Sequence, residues 1–401
     1  VGLPGRWHSA GGTLGLAIYL DYSATTPLRP EALARLNEVL QNHWGNPSSL
    51  HGWGERSAWV LEQARLQVAD LIGAQPQEIA FTSGGTEADN WAILGTCQLF
   101  RHPQHLIISS VEHSAVSQPV LWLEQQGWRV TRLPVNRQGR VNPSDLAQAI
   151  APDTVLVSII WGQSEVGTLQ PIAELGAIAR QQGVLFHTDA VQVAGRLPID
   201  VASLPIDLLS LSSHKLYGPQ GVGALWIRSG TPLEPLLRGG GQEGGLRSGT
   251  QAVAAIAGFG FAAACAAQEL TLEAARLQTL REVLFARLAD VPGLIPTGDR
   301  QHRLPHHVSF ALLPQEGEPR SGRQVVRALS RQGIAISSGS ACNSGKTLPS
   351  SVLLAMGYDP ATALGALRIS LGRPTRLSDI EQVATTLRQL LMQRTAVNTA
   401  Q

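Results

Sequence analysis

Asp207-Leu-Leu-Ser-Leu-Ser-Ser-His-Lys-Leu-Tyr-Gly-Pro219 opens as a short apolar run, passes through serines to a histidine and a lysine, and breaks at a Gly-Pro pair. The apolar part reads as a buried strand and Lys215 as a residue just beyond its carboxyl end. Upstream, similar apolar, β-branched runs occupy residues 79–82, 105–109, 128–133, 154–160 and 184–188. Helix-like stretches lie between most of them, over residues 87–99, 114–126 and 172–182. Strand alternating with helix predicts an α/β domain around a mostly parallel sheet. Residues 223–227 follow the Gly-Pro turn closely and read as an added strand.

From Thr250 the character changes. A long Ala-rich helical stretch runs toward Asp290, followed by a strand-like 307–312, a helix-like 322–332, a Ser/Gly loop and a closing helix from Ser378. This pattern predicts a large α/β domain over residues 18–258 and a smaller α+β domain over 259–401, joined by residues 1–17. There is no internal repeat and no extended low-complexity segment.

The bulk numbers exclude several function classes. The 401 residues carry 31 Lys and Arg against 30 Asp and Glu, a net charge of +1 that leaves no nucleic-acid or membrane-surface footprint. The cluster from Arg320 to Arg323 reads as a solvated face. Cys97, Cys265 and Cys342 are too few and too far apart for a disulfide framework or a paired metal site, and no metal is expected. No apolar stretch reads as the roughly 20 residues that span a bilayer. The first seventeen residues do not resemble a secretory signal, so a cytoplasmic location is expected.

Three strand ends carry candidate chemistry. Thr82-Ser-Gly-Gly-Thr-Glu87 follows one strand and opens a helix. Its glycines allow close backbone approach, and the helix N-terminus favours a phosphate; a plain capped turn would look the same. Asp189 ends another strand, where α/β proteins place ligands and where helix caps also occur. Lys215 ends a third. In the order phosphate loop, carboxylate, lysine, these are the parts of a pyridoxal-phosphate site. The lysine forms a Schiff base, and the carboxylate keeps the pyridine nitrogen protonated so that the ring acts as an electron sink.

Further segments extend the pattern: Tyr19-Leu-Asp-Tyr-Ser-Ala-Thr-Thr-Pro27, Gly45-Asn-Pro-Ser-Ser-Leu-His51, Glu112-His113, Phe186 to Gln192, Arg247-Ser-Gly-Thr250, Ser337-Ser-Gly-Ser-Ala-Cys342 and Arg368-Ile-Ser-Leu-Gly372. In these motifs and their order, the chain resembles the cysteine desulfurases, class V aminotransferases of the fold-type I pyridoxal-phosphate group. The resemblance implies an aspartate aminotransferase-like fold with a seven-stranded, mostly parallel sheet.

It also implies roles. Lys215 would anchor the cofactor and Asp189 would pair with its ring nitrogen. Gln192 would bond the phenolic oxygen. Gly85, Thr86, Ser212 and His214 would hold the phosphate, and Thr250 would reach the phosphate of a partner subunit, which implies a homodimer. His113 would stack on the ring and move protons. Arg368 would bind the substrate carboxylate, which suits a planar fork. Cys342 would take sulfur from L-cysteine as a persulfide, leaving L-alanine, and pass it to an acceptor or iron–sulfur scaffold protein. A loop of Ser, Gly and Ala suits an exposed carrier thiol, and Lys346 would lower its pKa.

One position departs from the family. Where cysteine desulfurases usually carry two Asn, this chain has Gln163-Ser164. The substrate-carboxylate contact therefore passes to Ser164 or Gln163, either directly or through a water. Rival readings are selenocysteine lyase or transamination on the same scaffold, or a degenerate member acting as a binding platform.

Overall fold

The computed structural model describes residues 17–339 and 348–398. Their strands, in chain order, are β1 (Ile18–Tyr19), β2 (Ile79–Thr82), β3 (His105–Ser109), β4 (Arg129–Leu133), β5 (Thr154–Ser158), β6 (Leu185–Asp189), β7 (Leu208–Ser212), β8 (Gly223–Ile227), β9 (Leu294–Pro296), β10 (His307–Leu312), β11 (Ile334–Ala335) and β12 (Ala366–Ser370). Seven of them form one sheet in the order β2-β8-β7-β6-β5-β3-β4. Every neighbouring pair from β7 to β4 is parallel; β8 runs antiparallel to both β7 and β2. The tight turn after Pro219 explains the reversal, because a short connection cannot return the chain for a parallel pairing.

The strand order reverses between β3 and β5: the chain leaves β3 toward β4 at one edge, then returns to β5 on the other side. A crevice opens outside the carboxyl ends of strands at such a switch point. The segments after β3, β5, β6 and β7 all emerge there, and that placement makes the site.

Apolar strand faces and helices bury one core around the large sheet, with Phe186, Val157, Leu209 and Trp226 at its centre. A second core gathers on the antiparallel sheet β12-β10-β9, with Phe310, Ile369, Leu284 and Leu387. The helix Val253–Leu288 joins them. Ile256, Phe259 and Ala263 sit in the first core, and Leu277, Leu284 and Leu288 in the second. At 1.5 Å per residue it is about 54 Å long. Contrary to expectation, this helix is by length and composition apolar enough to cross a bilayer, with a mean hydropathy of 1.5 over its richest window. Half of that window is packed inside the molecule, which accounts for its composition as a core helix.

Ile18 and Leu20 also belong to the second core. β1 pairs with β11, and Asp21 bridges to Ser370 beside β12. The chain thus crosses from the second core to the strand ends of the large sheet within residues 18–26.

Candidate active site

A cavity of about 650 Å³ lies between the carboxyl ends of the large sheet and the flank of β12. Gly85, Thr86, His113, Gln163, Ser164, Asp189, Gln192, Ser212, His214, Lys215 and Arg368 all line it. Thr250 is exposed and does not line the cavity of its own chain. Cys342 and Lys346 lie outside the described residues, but the flanking Gly339 and Leu348 both border the cavity.

The phosphate end is built by β2 and the helix Gly85–Cys97. A Cβ on Gly85 would stand 2.8 Å from Val191 Cγ2 and 3.4 Å from Ser212 Cβ, so only glycine lets this helix start press against the end of β7. The first N–H groups of a helix have no partner within it, and here they open beside Ser212 and His214 in an adjoining hollow. His214 Nδ1 meets Thr25 Oγ1 at 3.0 Å. Burial and the neighbouring Lys215 push its imidazole down to about 4, so it is neutral near pH 7.

Lys215 follows β7, and its Nζ donates to the carbonyls of Ser23 and Ala24, both at 2.7 Å. Burial first, then the Arg368 guanidinium, lowers its pKa to about 8; Asp189 and Asp21 oppose the shift. The neighbouring cation that the chemistry asks for is therefore mainly Arg368, from a distant strand, and not the adjacent His214.

Asp189 ends β6 and accepts from the Val191 N–H at 2.9 Å. Burial raises its pKa, while His113 and Lys215 hold it down. Asp89, on the helix that starts at Gly85, is buried beside it. Desolvation and the Asp189 charge push the Asp89 carboxyl well above the usual range. His187, one residue pair below on β6, bridges Ser158 Oγ at 2.8 Å and Ser210 Oγ at 2.9 Å. Burial lowers its pKa to about 3, so it is a neutral strut. Asp89, His113 and Asp189 offer atoms within 4.8 Å of one another, a spacing that a metal ion could use. The same atoms form the floor of the cavity expected to receive a pyridine ring.

His113 caps the helix Ser114–Gln125, its Nδ1 accepting from the Ala115 N–H at 3.2 Å. Glu112 beside it ties β3 to β5: its carboxylate accepts from Ser109 Oγ and from the Ile160 N–H, the latter at 3.0 Å. Burial raises it to about 8.

The opposite wall is assembled from afar. Arg368, on β12, donates through Nη2 to Asp21 Oδ1 at 2.7 Å and through Nη1 to the Ser164 carbonyl at 3.3 Å. His307 Nε2 reaches the same carbonyl at 3.0 Å. Gln163 does not point an amide at this guanidinium. Its Nε2 donates to the Val111 carbonyl at 3.2 Å, and its Oε1 accepts from the N–H groups of Glu165 and Val166 at 2.5 and 3.0 Å. That amide holds the turn from Gln163 to Gly167, whose Gly167 has φ +76° and would drive a Cβ to 2.6 Å from the His307 ring. Glu165 accepts from Ser350 Oγ at 2.7 Å, and burial raises it to about 7.

Asp21, Asp89 and Glu165 were not assigned roles from the sequence. Asp21 and Glu165 lie inside or beside recognisable motifs, but their partners, Arg368 and Ser350, are 347 and 185 residues away.

The residues present fit pyridoxal phosphate. A helix start and hydroxyls stand at one end, a carboxylate on the floor and a partly neutral lysine at the side. Gln192 Oε1 and Arg368 Nε are buried on cavity-lining residues with no hydrogen-bond partner, so a polar ligand has groups to satisfy there.

Comparison with known proteins agrees. The aminotransferase class-V family model matches residues 18–383. The cysteine desulfurase IscS of Dictyoglomus turgidum is 43% identical over 379 residues, covering 93% of this chain and 94% of that protein. The human cysteine desulfurase is 42% identical over 369 residues, covering 91% of this chain and 79% of that protein. Among solved structures, a NifS-like protein superposes with a TM-score of 0.87 at 34% identity, covering 94% of this chain and 99% of that one. SspA in complex with cysteine gives 0.77 at 35% identity, covering 88% and 98%. With motifs, sheet order and strand-end lysine in agreement, the chain belongs to the class-V aminotransferase family of pyridoxal-phosphate enzymes, alongside the cysteine desulfurases.

Proposed function

We propose that this protein is a cysteine desulfurase that converts L-cysteine to L-alanine and carries the sulfur as a persulfide on Cys342. The observation that carries the reading is the cavity itself: Lys215 and Asp189 on one side, Arg368 on the other, and both flanks of segment 340–347 on its rim.

Pyridoxal phosphate, when bound, supplies the electron sink for carbanion chemistry. Gly85, Thr86, Ser212 and His214 hold its phosphate, Asp189 its ring nitrogen, and His113 its open face. Gln192 donates through Nε2 to the Ser23 carbonyl at 2.9 Å, and the second N–H of the same amide would serve the phenolic oxygen. Lys215 would leave the Ser23 and Ala24 carbonyls to hold the cofactor, and its freed amine would move the substrate Cα proton, a role favoured by the burial and the Arg368 charge that lower its pKa to about 8. Arg368 holds the substrate carboxylate. The Cys342 thiolate attacks the substrate sulfur, the carbon–sulfur bond breaks, and Cβ takes a proton. Cysteine and one thiol thus become alanine and one persulfide, with atoms and electrons balanced.

Two further features support a homodimer. Thr250 is exposed and away from its own cavity, and Trp44, Leu50, Trp53 and Trp59 expose half or more of their surface near one another in sequence. We further propose two domains, a large one around the first core and a smaller one around the second, with Ile18 and Leu20 on the smaller side and the boundary inside the helix Val253–Leu288 beyond Ala263 rather than at residue 258; an iron–sulfur scaffold or other thiol as sulfur acceptor; and a reducing cytoplasmic setting, which suits the free Cys97 and Cys265.

Incubation with L-cysteine tests the activity. Alanine should appear in step with persulfide, and Cys342→Ala should keep the cofactor's absorbance yet form no persulfide. Undiminished alanine release in that variant without added thiol would sink the carrier role. Alanine without any persulfide in the parent protein would point to a different class-V reaction.

A further inference from the structure

Arg368 offers its donors unequally. Nη2 donates to Asp21 at 2.7 Å and Nη1 to the Ser164 carbonyl at 3.3 Å, while Nε is buried without a partner. A carboxylate grips a guanidinium best side-on, through the parallel donors Nε and Nη2. Half of that edge is vacant and half is taken by Asp21.

Asp21 is well placed to trade. Its backbone is fixed beside β12 by the bridge to Ser370, and Tyr19 Oη donates to its carbonyl at 3.0 Å. Its side chain lines the cavity and keeps 23% of its surface exposed, against 10% for Arg368. A guanidinium this buried is costly to leave without an anion. An arriving substrate carboxylate would otherwise bring a second negative charge against Asp21 on one cation.

We propose that Asp21 is a resident counter-ion of Arg368, occupying part of the carboxylate-binding edge until the substrate carboxylate displaces it. Asp21 is then a positioning residue that sets substrate affinity. It keeps Arg368 oriented in the free enzyme and weakens the grip on substrate by competing for Nη2. The inference rests on the reading that Arg368 receives the substrate carboxylate.

The test is the affinity of the holoenzyme for L-alanine, a carboxylate-bearing ligand with no sulfur to lose, followed through the cofactor's visible absorbance. Asp21→Asn keeps an acceptor for Nη2 but removes the competing charge. It should tighten L-alanine binding about fivefold, the size of a partly exposed charge term. Unchanged or weaker binding overturns the inference. Asp21→Ala separates trading from mere support: tighter binding agrees with displacement, and binding weakened in both variants makes Asp21 a structural prop only. Arg368→Ala, checked for an intact unliganded spectrum, should lose L-alanine binding. Retained binding there would overturn the carboxylate reading and this inference with it. Lost binding there, with Asp21→Asn unchanged, overturns the inference alone.

Discussion

On one wall of the cavity, Asp189, Ser212 and Lys215 stand at or just past the ends of the adjacent strands β6 and β7, with Gly85 pressed against them. On the other wall, Arg368, Asp21 and Ser164 come from three separate segments and meet through an ion pair and a carbonyl shared with His307. The first wall is held by sheet register and buried neutral struts such as His187. The second is held by an ion pair and a hydrogen bond to a backbone carbonyl, between distant segments. On the proposed reading, a cofactor that stays faces the rigid wall and a substrate that comes and goes faces the exchangeable one.

The largest effect should come from breaking the rigid wall. Lys215→Ala should lose the covalent cofactor link and lower turnover by roughly a thousandfold or more. A variant that keeps a borohydride-reducible link would remove Lys215 from its role. The wall also has a pH signature in the cofactor-free protein. A lysine whose folded pKa is lowered to about 8 destabilises the fold while charged, below that pH. The penalty fades as pH rises toward the unfolded value of about 10.4. Lys215→Met should therefore gain most in melting temperature over the parent near pH 7, and the gap should narrow by pH 10. A gap that does not change with pH would mean Lys215 titrates normally.

Breaking the exchangeable wall should cost less, and in binding. Arg368→Ala should raise KM for cysteine on the order of 100-fold, since it removes a charge-assisted pair. A change confined to kcat would place the carboxylate elsewhere. Ser164→Asn should have the smallest effect, lowering KM about threefold through one added hydrogen bond. An equal or higher KM would mean that Arg368 and its partners already complete this wall.

The same division explains what could be read in advance. The strands at 79–82, 105–109, 223–227 and 307–312 fall where short runs rich in apolar residues between turn signals predicted them, and every residue of these strands is buried. The positions of Asp189 at the end of β6 and of Lys215 three residues past the end of β7 were legible because each lies at or just beyond such a run. The expectation that Ser164, Gln163 or a water takes over the carboxylate contact meets a Gln163 amide already engaged by three backbone groups, which nothing local reveals. The apolar helix Val253–Leu288 was recognised as a helix, but not its membrane-like composition, which follows from packing in two cores.

The sequence by itself determined the α/β sheet, the family with its cofactor class, and the strand-end placement of Asp189 and Lys215, because strand ends, a Gly-rich helix start and the lysine after a strand are local and covalently ordered. Only the tertiary structure decided that Arg368 depresses Lys215, that Gln163 serves a turn and that Asp21 sits on the guanidinium. Those facts depend on through-space charge and on hydrogen bonds between segments up to 347 residues apart, which no local pattern encodes.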